Sequence, residues 1–88
     1  MKIKNGFVLH TVGDEHIVVA VGKMTTKFHG MIRLNGTGAF IFKLLEKGTD
    51  ENGIVSALMT EYGIDEATAK TASSSFLSQL TEAGVLEV

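Results

Sequence analysis

Cysteine is absent from this 88-residue chain, which excludes a disulfide framework and any thiolate-ligated metal centre. No window comes near the ~18 consecutive apolar residues that a membrane span requires. The opening residues Met1-Lys2-Ile3-Lys4-Asn5-Gly6 lack the apolar core of a signal peptide, so a cytoplasmic location is expected. Repeats, low-complexity tracts and linkers are missing too. The length suits one domain spanning residues 1–88, with too little left for a second.

What is present argues for a folded chain. Apolar residues make up 44% of the sequence, too many for intrinsic disorder. Charge is divided unevenly: residues 1–44 carry six basic and two acidic side chains, residues 45–88 two basic and eight acidic. Such asymmetry reads first as a polarised surface.

Two β-rich runs, Phe7–Val12 and His16–Val21, flank Gly13-Asp14, which reads as a tight hairpin turn, with or without Glu15. Both runs are apolar on both faces, so each side of the hairpin is expected to be covered. Residues 22–30 read as a glycine-bracketed loop, and Met31-Ile32-Arg33-Leu34 as a short third strand. Three helices follow. The first spans Gly36 to Glu46, with Asn35 as its cap, Gly48 as its stop and Phe40, Ile41, Leu44 and Leu45 on one face. The second runs from Asp50 to Tyr62, capped by Thr49 and stopped by Gly63, with Ile54, Val55, Leu58, Met59 and Tyr62 as its apolar stripe. The third runs from Glu66 to Ala83 between Asp65 and Gly84, with Ala69, Ala72, Phe76, Leu80 and Ala83 inward. Val85–Val88 is an apolar tail expected to fold back on the core. The fold class is α+β: a three-stranded antiparallel sheet, then three helices, with the last two joined like a helix-turn-helix beside a wing.

Catalysis finds little support. His10 and His16 flank the turn; a two-residue turn separates them onto opposite faces, and a three-residue turn would bring them together. His29 lies in the loop. Without an HxH or HExxH pattern, these histidines read as exposed strand and loop residues and not as metal ligands. Asp50, Glu51, Asp65 and Glu66 stand at helix starts, where free amides and the helix dipole favour negative charge. Gly36-Thr37-Gly38 lacks the lysine and glycine spacing of a phosphate loop. The expectation is therefore a non-enzyme with no metal and no cofactor.

Two binding readings remain. A winged-helix DNA-binding regulator would read DNA with the third helix, but that helix offers Lys70 against Glu66 and Glu82, and an acidic surface repels phosphate. Peptide binding suits the chain better. The third strand can be a sheet edge, and exposed edges accept an added strand. On the third helix, one shoulder carries Lys70, Ser73, Ser74 and Leu77. The serines there can form a shallow trough, or be merely solvated while Leu77 joins the core.

The run Leu34-Asn35-Gly36-Thr37-Gly38-Ala39, with its apolar helix, resembles the strand-to-helix junction of the PqqD-like proteins. Their pattern, leucine-asparagine-acid-threonine-glycine-alanine, is matched at Leu34, Asn35, Thr37, Gly38, Ala39, Ile41, Leu44 and Leu45. Gly30–Asn35 is similar to the free-standing members. Ile54, Val55, Leu58 and Tyr62, the Ile64-Asp65 entry and the Phe76-Leu77-Leu80-Gly84 ending follow the same layout, so the likeness covers nearly the whole chain from Phe7. Gly36 departs from it, standing where an acid is usual.

The resemblance implies a peptide chaperone, a recognition element for ribosomally made, post-translationally modified peptides. A precursor's leader would add to the third strand and pack against the third helix. It would be presented to a modifying enzyme, often a radical S-adenosylmethionine protein. By position, the contacts would be Met31, Ile32, Arg33 and Leu34 on the strand and Lys70, Ser73, Ser74 and Leu77 on the helix. Arg33 would be the charged contact for an acidic leader, and proline at Ile32 would block the edge. The two-sided apolar hairpin leaves a homodimer open.

Overall fold

Glycine at position 13 decides the hairpin. Gly13 sits at φ 61°, and among the described residues only glycines have positive φ, so Gly13-Asp14 forms a type II′ turn whose twist matches the strands it joins. The computed structural model describes residues 1–28 and 30–87; His29 and Val88, assigned above to the loop and the tail, lie outside the described residues. The turn joins β2 (Phe7–Val12) to β3 (Glu15–Ala20), with Val12 opposite Glu15. The second run therefore begins one residue earlier than its apolar pattern suggests. His10 faces Ile17 across the pair and His16 faces Thr11, which puts the two histidines on opposite faces. Thr11 Oγ1 and His16 Nδ1 share a hydrogen bond of 2.9 Å.

The third long strand, β4 (Met31–Leu34), pairs antiparallel with β3, giving the sheet order β2-β3-β4. Between β3 and β4 the expected loop contains a short 3-10 helix, Gly22–Thr26, closed by Lys27 N–H donating to Met24 C=O at 3.0 Å. Two very short strands were not legible from periodicity. β1 (Lys2–Ile3) pairs antiparallel with β5 (Leu86–Glu87), so the residues preceding the hairpin lie against those following the last helix. Lys4 N–H donates to Val85 C=O at 2.8 Å, and Thr49 N–H to Met1 C=O at 3.0 Å.

Each of the three α-helices starts on a side-chain cap. The Asn35 carboxamide accepts from Gly38 N–H at 2.7 Å and opens α1 (Gly36–Lys47). Asp50, not Thr49, caps α2 (Glu51–Tyr62), accepting from Gly53 N–H at 2.8 Å; the aspartate stands at the three-residue spacing that a cap needs. Asp65 caps α3 (Glu66–Ala83). Hydrogen bonds from the Thr68 side chain and backbone hold the Asp65 carboxyl below its usual range, because they favour the charged form. Gly63 and Gly84 end α2 and α3 in the left-handed conformation.

All three helices pack on one face of the sheet. Phe7, Val18 and Leu34 from the strands share a buried cluster with Ile41, Phe42 and Leu45 of α1, Ile54 and Leu58 of α2 and Phe76 and Leu80 of α3. Val85 and Leu86 are buried in it, so the apolar tail does fold back. The other face stays open, contrary to the expectation that both would be covered. Val12 is 72% and Met31 59% exposed there, with Val8, Ile17 and Val19 half-buried between strands. Met59 and Tyr62, placed above on the apolar stripe of the second helix, are also exposed; the Tyr62 ring meets the edge of Phe40 at 5.6 Å between centroids.

Candidate functional site

Hydrogen-bond phase determines which backbone groups of the sheet are free. Residues facing each other in an antiparallel pair alternate between bonded and non-bonded. The II′ turn makes Val12 and Glu15 a bonded pair, and Val21 N–H donating to Gly6 C=O at 2.8 Å confirms the same phase at the far end. Glu15, Ile17 and Val19 thus direct their backbone groups to β2. His16 and Val18 direct theirs to Leu34 and Ile32 of β4. The N–H and C=O of Met31 and Arg33 are left pointing off the outer edge of β4. Proline at Ile32 would consequently break the bond to Val18 inside the sheet; Arg33 is the position where proline removes an outward donor.

That outer edge borders a cleft. Arg33 and Leu34 form its strand side, Asn35, Thr37, Gly38 and Ile41 its α1 side, and Ala72, Ser75, Phe76 and Gln79 its α3 side, around a volume of about 300 Å³. Leu34, Gly38, Ile41 and Phe76 are buried and make an apolar floor; Ser75 and Gln79 stand exposed at the rim. Gly38 allows α1 to approach α3 closely. A Cβ there would lie 3.0 Å from Phe76 Cε1 and 3.3 Å from Leu34 Cβ.

The expected site residues separate. Met31, Ile32, Arg33 and Leu34 all lie on the edge strand: Met31 and Arg33 are exposed, Ile32 half-buried, Leu34 buried. The Arg33 guanidinium stands 3.6 Å from the Glu15 carboxylate, with both side chains largely in water. Such a pair contributes little to stability.

Lys70, Ser73, Ser74 and Leu77 are not brought to this cleft. Ser73 is fully buried, and its hydroxyl has no hydrogen-bond partner among the described residues. Ser74 donates to Glu51 of α2 at 2.8 Å, while Lys70 lies 4.0 Å from Glu66. Leu77 packs half-buried beside Met1 and Leu86, on the opposite shoulder of α3. The cleft-side set Ala72, Ser75 and Gln79 was not singled out as a binding surface. Both shoulders of this helix are built from small and polar residues, so periodicity holds no signal to choose between them.

Among the described residues, no group of three His, Asp or Glu side chains could hold a metal ion, and no helix is long and apolar enough to cross a membrane. The charges of α3 are Glu66, Lys70 and Glu82, with Lys70 drawn toward Glu66, an arrangement unsuited to phosphate.

Comparison with solved structures finds the same architecture. A chain described as TbiB1 in complex with the TbiA(beta) leader peptide superposes with a TM-score of 0.80 at 29% identity, covering 99% of this chain and 95% of that one. Lasso peptide synthetase B1 complexed with the leader peptide superposes at 0.75, with 18% identity over 96% of this chain and 93% of that one. Among curated proteins there is no match. The profile of the family described as Coenzyme PQQ synthesis protein D (PqqD) matches residues 15–86, most of the sheet and all three helices. The chain belongs to the PqqD family.

Proposed function

We propose that this protein binds the leader segment of a ribosomally made precursor peptide and presents it to a modifying enzyme. The observation that carries this reading is the cleft where the free edge of β4 faces α3. It is supported by the likeness to TbiB1, whose structure holds a leader peptide. The leader adds as a strand, bonding to the outward backbone groups of Met31 and Arg33, while one of its side chains enters the apolar floor between Leu34 and Phe76. The helix contacts are Ala72, Ser75 and Gln79, in place of Lys70, Ser73, Ser74 and Leu77.

On this reading, residues 1–88 act as one non-catalytic, cytoplasmic recognition domain. The enzyme it serves is a peptide-modifying enzyme, with the radical S-adenosylmethionine type as one candidate class. Holding the peptide beside that enzyme raises the effective concentration of the reacting segment and needs no chemistry from this chain. The test is titration calorimetry with the cognate leader. Arg33→Pro removes an edge donor and should weaken binding by about tenfold or more, while the circular dichroism of the domain stays native. Unchanged affinity in a folded Arg33→Pro protein would show that the leader does not add at β4.

A further inference from the structure

The sheet has a second free edge. By the phase derived above, Val8, His10 and Val12 bond to β3, so the N–H and C=O groups of Phe7, Leu9 and Thr11 point outward from β2. No backbone group outside the hairpin bonds to them among the described residues. Protective devices are missing from this edge: Phe7–Val12 contains no proline, no lysine and no acidic residue. Unlike the edge of β4, it borders no cleft lined by Phe7–Val12 among the described residues.

We propose that this edge is the docking surface for a second copy of the chain. A two-fold axis at Leu9 sets Leu9 against its own counterpart and Phe7 against Thr11 of the other copy. All three outward residues then fall in bonded pairs, giving up to about six main-chain bonds. Val8 lies opposite His10 on the open face, so no like charges meet along the strand.

The ends of the edge complement each other as well. Lys23 and Lys27 lie beside Gly6 and Val21 at one end of the hairpin, and Asp14 and Glu15 stand at its tip. Antiparallel pairing puts the basic end of one copy by the acidic tip of the other. The result is a six-stranded sheet with β4 outermost on both sides, so each copy keeps its cleft open. A single six-residue edge buries well below the ~800 Å² per partner of a standard interface, so the dimer is weak, with a Kd between about 10 μM and 1 mM.

Sedimentation velocity across that concentration range, with backbone amide exchange by NMR, tests this without any peptide present. The expected result is a concentration-dependent rise from monomer to dimer, with slowed exchange at Phe7, Leu9 and Thr11. Asp14→Lys, at an exposed turn position, should raise the dimer Kd by about fivefold or more, as should added salt. Thr11→Pro, which removes an outward donor, should leave a monomer. A wild-type chain that stays monomeric throughout would overturn the proposal. So would a dimer that protects Met31 and Arg33 in place of β2, or one indifferent to Asp14→Lys; this second variant decides the matter if Thr11→Pro fails to fold.

Discussion

Two glycines in the first turn of α1 have opposite roles. Nothing lies within 4 Å of a Cβ built at Gly36, and its position at the helix start favours a negative charge. Gly36→Asp should therefore stabilise the fold by about 1 kcal/mol, raising Tm by roughly 4–8 °C. Gly38 is buried, and its extra carbon would press on the Phe76 ring and Leu34. Overpacking of ~1–3 kcal/mol there outweighs the ~1 kcal/mol gain in helix propensity, so Gly38→Ala should lose stability. Thermal melts of the two variants decide it: stabilisation by Gly38→Ala would mean that α1 and α3 are not in close contact. Sequence alone treats these glycines alike, because the neighbour that separates them, Phe76, lies 38 positions further along.

Helix α3 shows what an element can and cannot reveal from its own sequence. Its bounds, cap and stop were legible, since Asp65 and Gly84 perform local tasks that need no distant partner. Its inward stripe was nearly legible: Ala69, Phe76 and Leu80 are buried, but so is Ser73, whose hydroxyl hides it from a reading based on apolar spacing. The direction of its two shoulders was not legible, because β4 and α2 select them through packing. A charge placed on each shoulder separates the alternatives. Ser75→Arg should weaken leader binding by about tenfold or more by crowding the cleft, whereas Ser74→Arg, on the side facing Glu51, should leave it unchanged. Both positions are exposed, so the fold should tolerate either change. Equal effects in calorimetry, or the reverse order, would move the site to the other shoulder.

Across the whole molecule, stability depends on a contact between the two ends of the described chain. Ile3 is 7% exposed and joins the common core, while its neighbours bond to the strand at Val85 and to the turn before α2. Read alone, Met1–Gly6 showed only what it lacked as a signal peptide. Ile3→Ala should cost ~2–4 kcal/mol, a large share of the stability of so small a domain, and lower Tm by more than about 10 °C. A shift of only a degree or two in calorimetric melting would show that β1 is peripheral. The open outer face is likewise a property of the whole. Apolar alternation marks a residue as able to be buried, but coverage depends on how many helices there are and on which side they pack.

The sequence by itself determined the hairpin, the third strand, the three helices with nearly all their caps, and the family layout they compose. Each of these follows from interactions within a few residues: a glycine accepting positive φ, an oxygen reaching an amide three positions on, an apolar residue recurring at the helical period. Tertiary structure alone decided which backbone groups point off the sheet, which shoulder of α3 meets the free edge, and where the chain ends pair. The reason is physical. A strand's outward donors depend on the phase of its partner, and a helix face acquires a neighbour only when elements distant in sequence pack together.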